Sequence, residues 1–197
     1  MMATSTLFSS AAFERLVLFY LVNPDAAPHL RDLQRQLRVG MRSLQAELAR
    51  LEDRRLVRME RSRNRTVYRM NQSNAGWNAL RMMVRNFGDP AEVVRVALAT
   101  VPNVVAAFVF GSTARGEATG ESDVDVLVVG DGIPRGELGR CAQESSAVIG
   151  RDVNIARYTP EEFAADLARG DPFLGRVMSG PRTWLAGDRQ TLEALAG

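Results

Sequence analysis

The chain has 197 residues with 25 Lys+Arg, 23 Asp+Glu, one His and one Cys, for a net charge of +2. That small total averages two unlike halves: residues 1–88 hold 15 basic and 7 acidic side chains, and residues 89–197 hold 10 and 16, so the local charges are +8 and −6. Every cation is Arg, which excludes a Gly-Lys-Ser/Thr phosphate loop and a Schiff-base lysine, while the single Cys141 and single His29 exclude intrachain disulfides, cysteine zinc ribbons and multi-histidine metal sites.

Ser9 and Ser10 can cap a helix over 11–22, whose Phe13, Leu16, Val17 and Tyr20 recur at helical spacing. Its apolar run Leu16–Val22 is too short to span a bilayer, and no positively charged leader precedes it, so a soluble cytoplasmic protein without membrane contact is expected. Asn23-Pro24 ends that helix. A short helix over 30–37 carries Leu30, Leu33 and Leu37 on one side, and Arg38-Val39-Gly40 makes a tight connection. A third helix over 41–53 turns Leu44, Leu48 and Leu51 inward, and Arg42, Ser43, Gln45 and Arg50 elsewhere. Two alternating segments, 56–59 and 66–70, flank the polar tip Glu60-Arg-Ser-Arg-Asn-Arg65 and read as a hairpin.

Three helices and a basic hairpin resemble a winged helix-turn-helix DNA-binding domain over residues 9–71. A helix end bearing Arg42, Ser43 and Gln45 offers donors and acceptors for major-groove base edges. Arg61, Arg63 and Arg65 at the hairpin tip suit phosphates or a minor groove. Double-stranded DNA is the partner this implies. A solvated Arg-rich loop or a protein-docking module is the competing reading. A helix over 73–87 follows, with Trp77, Leu80, Val84 and Phe87 as a packing stripe that either docks the two domains or pairs two subunits as a homodimer. Gly88-Asp89-Pro90 stops it. The expected division is 1–71 for the DNA-binding domain, 72–90 for the connecting helix and linker, and 91–197 for a second domain.

In the acidic half, 91–100 reads as a helix and Val104–Phe110 as a strand buried on both faces. The strand ends in Gly111-Ser-Thr-Ala-Arg-Gly116. Asp123-Val-Asp-Val-Leu-Val-Val129 is a second strand, on which Asp123 and Asp125 share one face. Two carboxylates side by side repel and are costly to bury; a divalent cation relieves that cost, and hard oxygen ligands suit Mg²⁺. A helix over 137–149 leads to a third alternating segment, 151–155, with Asp152 and Asn154 on one face. Helices over 160–169 and 172–178, a strand at 182–186 and a short final helix complete the chain.

The ordered set Phe110-Gly-Ser-Thr-Ala-Arg-Gly116, Ser122-Asp-Val-Asp125 and an Asp-initiated strand at Asp152 resembles the minimal nucleotidyltransferases of the DNA polymerase β superfamily, over residues 91–187. The resemblance implies an α+β chain: a trihelical winged helix-turn-helix domain, then a polymerase-β-like α/β domain with a mixed sheet. It implies ATP or another nucleoside triphosphate as donor, two Mg²⁺ ions, and transfer of a nucleoside monophosphate to a protein or RNA acceptor with release of pyrophosphate. Asp123, Asp125 and Asp152 would be the catalytic metal ligands, with Asp152 also drawing the acceptor hydroxyl toward ionisation. Ser112 and the Gly111 backbone would cradle the β/γ-phosphates. Arg115 is either a triphosphate partner through its fork or one half of a surface salt bridge to Glu117 or Glu121. By analogy with small transferases that act as antitoxins, a protein acceptor is attractive. The alternatives are a transcriptional regulator that senses nucleotide without turnover, and an interaction module with both sites vestigial.

Overall fold

The computed structural model describes residues 7–8, 10–62, 65–118 and 122–196. The chain divides into two compact units, Met1–Asp89 and Pro90–Gly197.

The first unit contains α1 (Ala11–Val22), α2 (Leu30–Leu37), α3 (Met41–Asp53), an antiparallel hairpin of β1 (Val57–Ser62) and β2 (Arg65–Met70), and α4 (Gly76–Phe87). Ser10 caps α1, its hydroxyl accepting the Phe13 N–H; Ser9 lies outside the described residues. The expected stripe on α1 is too narrow, because Leu18, Phe19, Leu21 and Val22 are buried as well as Leu16, Val17 and Tyr20. The helix packs against α2, α3 and α4 together, so almost its whole circumference is covered. Arg15 donates to the carbonyls of Leu37 and Arg38, satisfying the end of α2 where Arg38 enters the left-handed region. The hairpin is tied down by backbone and ring contacts: Tyr68 N–H donates to the Pro28 carbonyl, and the His29 ring Nδ1 lies 2.8 Å from the Thr66 carbonyl. Trp77 donates its indole N–H to the Leu56 carbonyl from a buried position. The helix expected from residue 73 begins at Gly76, because residues 71–75 form a turn. There the Asn74 carboxamide bonds the carbonyls of Arg54 and Arg55 and accepts the Gly76 N–H.

The second unit is a mixed four-stranded sheet, order β5-β4-β3-β6, flanked by helices. Its elements are α5 (Pro90–Leu98), β3 (Ala106–Phe110), α6 (Gly111–Arg115), β4 (Val124–Val129), α7 (Arg135–Ile149), β5 (Val153–Tyr158), α8 (Pro160–Ala168), α9 (Pro172–Ser179), β6 (Thr183–Ala186) and α10 (Arg189–Ala196). β4 runs antiparallel to β3 and parallel to β5, and β6 runs antiparallel to β3.

Strand parity sorts the residues into two layers. Ala106, Phe108, Leu127 and Val129 share a core with Phe163, Leu174, Val177 and Leu192 from the C-terminal helices. Ala107, Val109, Val124, Val126 and Val128 are equally buried on the opposite parity, the side covered by α5 and α7. The Gly-Ser segment at the end of β3 winds into the short helix α6. β5 begins at Val153, two residues later than expected, because the chain leaves α7 through Gly150 at φ 76° and Val153 N–H is first taken by the Ser146 hydroxyl. Among the described residues, no helix is long and apolar enough to cross a membrane.

Cys141 is buried on α7, and burial pushes its thiol pKa up from 9.0 to about 12. The buried Tyr20 hydroxyl is raised in the same direction by the same cause. A raised acid pKa stabilises the fold below the unfolded value and loses that contribution as pH climbs toward the folded one. Urea unfolding should therefore show stability falling from pH 9 toward 12, and Cys141→Ala should flatten part of that loss. Native Cys141 should also resist alkylation at pH 8 while the unfolded chain reacts.

Candidate nucleotide-binding site

The site lies where β3 ends and β4 begins. The register pairs Phe110 with Asp125, so the end of one strand faces the start of its neighbour. Val124 and Val126 are fully buried beneath the sheet. Asp123 and Asp125 have the opposite parity and share a face with Leu127 and Val129. They escape the apolar core because they precede it: Asp125 is half-buried and Asp123 is exposed. The sequence alternation that places Val into the core thus forces both carboxylates to one rim.

Gly111 fits against that rim. Its φ of 73° is in the left-handed region, and an added Cβ would stand 2.8 Å from Asp125 Oδ2. A side chain here would fill the space in front of the carboxylate. Beyond it, α6 carries Ser112, which is half-buried and whose carbonyl accepts the Glu117 N–H. The Thr113 hydroxyl donates to the Asp123 carbonyl at 3.4 Å, tying α6 to the entry of β4. Arg115 is exposed and its Nε donates to Glu117 at 2.6 Å, so the salt-bridge alternative is the contact present; Glu121 lies outside the described residues.

Asp152 and Asn154 lie on the β5 side of the pair. Among the described residues no group of three His, Cys, Asp or Glu side chains comes together to hold a metal. Asp152 precedes the strand and is exposed, and its backbone carbonyl accepts the Val124 N–H at 2.8 Å. Asn154 occupies the register position opposite Asp125, and its Nδ2 donates to Asp123 Oδ2 at 3.2 Å. Continued back one residue from Val124 and Val153, the same register sets Asp152 beside Asp123. Alternation marks Asn154 as sharing a face with Asp152, but carries no signal that the amide is the group touching the Asp pair.

The pair nevertheless suits a divalent cation. Two hard carboxylates share one face of β4, and the glycine leaves room in front of Asp125 for further oxygen ligands. Such a two-carboxylate set matches Mg²⁺ held partly by substrate phosphates.

The residues expected to meet DNA belong to the first unit. Arg42, Ser43 and Gln45 are exposed on the N-terminal part of α3, and Arg61 and Arg65 are exposed beside the hairpin tip. Arg63 lies outside the described residues.

Residues 92–171 match the family model of the nucleotidyltransferase domain, a span that runs from α5 into the turn before α9 and contains Gly111, Ser112, Asp123, Asp125 and Asp152. No curated protein matches the chain. One solved chain, from the crystal structure of a toxin-antitoxin with AMP-PNP, is 18% identical, with 51% of this chain and 75% of that chain covered and a TM-score of 0.37.

Gly111→Ala should cost about 1–2 kcal/mol for the left-handed backbone alone, and should also displace the Asp125 carboxylate. Thermal unfolding should register the first effect, and divalent-cation-dependent nucleotide binding should weaken beyond it. Retention of full binding by the variant would mean that the space in front of Asp125 is not used.

Proposed function

We propose that this chain is a Mg²⁺-dependent nucleotidyltransferase coupled to a DNA-binding unit. The observation that carries the first half is Gly111, held with its open side toward Asp125 of the Asp123/Asp125 pair, within the span that matches the nucleotidyltransferase domain.

Asp123 and Asp125 would hold the Mg²⁺ that accompanies the triphosphate, which when bound neutralises charge on the reacting and leaving oxygens. Gly111 gives the phosphates access to backbone N–H groups that a Cβ would block. Ser112 follows it at the start of α6 and offers a hydroxyl to the β/γ-phosphates. Arg115 reaches the phosphates only by releasing Glu117. Asp152, one residue before β5, is the carboxylate left to accept a proton from the acceptor hydroxyl. That oxygen forms a new bond to the α-phosphorus as the bond to the bridging oxygen breaks and pyrophosphate departs. ATP is the donor favoured by the family resemblance, and a protein or RNA hydroxyl is the acceptor.

In the first unit, Arg42, Ser43 and Gln45 would read base edges while Arg61, Arg63 and Arg65 would meet the backbone of duplex DNA. The local charge of +8 over residues 1–88 supports this, because a polyanion is its natural partner. Coupling the two activities makes regulation of transcription the role that fits the chain. A second reading, a regulator that senses nucleotide without turnover, is favoured by one observation: Asn154, not an acid, faces the Asp pair.

With Mg²⁺ and α-labelled ATP, the protein should transfer label to itself, to a neighbouring gene's product or to RNA. Asp123→Ala or Asp125→Ala should lower transfer by about a thousandfold, since several kcal/mol of charge stabilisation is removed. Tight nucleotide binding without transfer to any acceptor would establish the sensing reading instead.

The full chain should bind duplex DNA with an affinity that falls steeply as salt rises. Arg61→Ala and Arg65→Ala should each lower the salt slope by about 1. Binding that ignores salt would point to protein docking.

A further inference from the structure

The core shared with the C-terminal helices reaches the carboxylate rim as two aromatic rings. Phe110 is the register partner of Asp125. Residues paired across antiparallel strands have one facing, so the Phe110 ring stands on the Asp123/Asp125 face, with Cβ atoms about 5 Å from those of Asp125. Phe173, near the start of α9, packs edge to face against it, with ring centroids 5.7 Å apart and planes 80° apart. Phe108 and Phe163 in the same core are fully buried, but Phe110 and Phe173 are only half-buried. Two adjoining rings left partly open beside a charged border make an apolar patch suited to a ligand with one apolar face.

We infer that Phe110 and Phe173 form the platform on which the nucleobase of a bound nucleoside triphosphate stacks. This rests on the nucleotidyltransferase reading above. Phe110 directly precedes Gly111, so the platform adjoins the place assigned to the phosphates. An edge-to-face pair leaves ring faces that the two phenylalanines do not use on each other. Neither ring carries a hydrogen-bonding group, so the platform holds a base by its π-face and tolerates any base. Phe173 lies two residues past the span that matches the nucleotidyltransferase domain.

The test separates the base from the phosphates. Tripolyphosphate and a non-hydrolysable ATP analogue are titrated onto the full chain with Mg²⁺, and heat of binding is recorded. The wild type should bind the analogue at least about tenfold more tightly than tripolyphosphate, which has no base to stack. Phe173→Leu keeps an apolar side chain but removes the ring. It should lose most of that advantage while tripolyphosphate binding is unchanged, and Phe110→Leu should behave alike. Phe173→Tyr keeps the ring and should keep the advantage, which a purely structural role for Phe173 does not require of tripolyphosphate and analogue separately.

A base advantage that survives both leucine variants, or an equal loss of both ligands, overturns the inference and leaves the transferase reading intact. The wild type provides a measurement that does not depend on any variant folding. ATP and GTP analogues should bind within about tenfold of each other, because stacking reads ring area and not edge groups. A larger preference for either, or an ATP analogue bound no better than tripolyphosphate, also overturns the inference alone. Failure of the wild type to bind either ligand under any condition overturns the transferase reading, and the platform with it.

Discussion

The second unit is organised by what happens when acidic residues alternate with valines on a strand at the centre of a sheet. Val124 and Val126 are fully buried, and that burial fixes the face on which Asp123 and Asp125 stand. A carboxylate under the sheet would carry a desolvation cost no neighbour there offsets, and slipping the strand by one residue would put both acids into it. Register, the location of the charged rim and the approach of Gly111 all follow from this constraint. The glycine is needed because the end of β3 meets the start of β4 at Asp125, leaving no room for a Cβ.

The same constraint explains why the acids come at the first positions of β4 and not further along. From Leu127 onward the same face is occupied by the core shared with Phe108, Phe163 and Leu174. Polar function is confined to the short stretch between strand entry and that core. The first unit also devotes polar side chains to seating secondary structure. Arg15 closes the end of α2, and Asn74 builds the turn before α4. Such residues look like surface charge in a sequence yet act as backbone partners in the fold.

Much of the fold was legible because its signals are local. The limits of α1, α2 and α3 follow from caps, leucine spacing and the Asn23-Pro24 and Val39-Gly40 breaks. The strands β3 and β4 follow from a continuous apolar run and from Asp-Val alternation. The winding of Gly111–Arg115 into a helix was not legible, because five residues carry no periodicity. Nor was the near-complete burial of α1, since how many neighbours surround a helix is not written in its own stripe.

By itself the sequence determined which residues could carry chemistry: a Gly-Ser pair at a strand end, Asp123 and Asp125 on one face, and Asp152 with Asn154 on another segment's common face. Parity along a single strand is a local property, so these groupings needed no partner. Only the tertiary structure decided which β5-side residue meets the pair. That depends on the register of a parallel ladder between segments separated by the whole of α7. The ladder begins at Val153 because Gly150 turns the chain and Ser146 holds the Val153 N–H, and this brings the amide of Asn154 to Asp123. The same register sets Asn154 opposite Asp125 and, two residues earlier on each strand, Asp152 beside Asp123, because side-chain facing repeats every two residues along both strands.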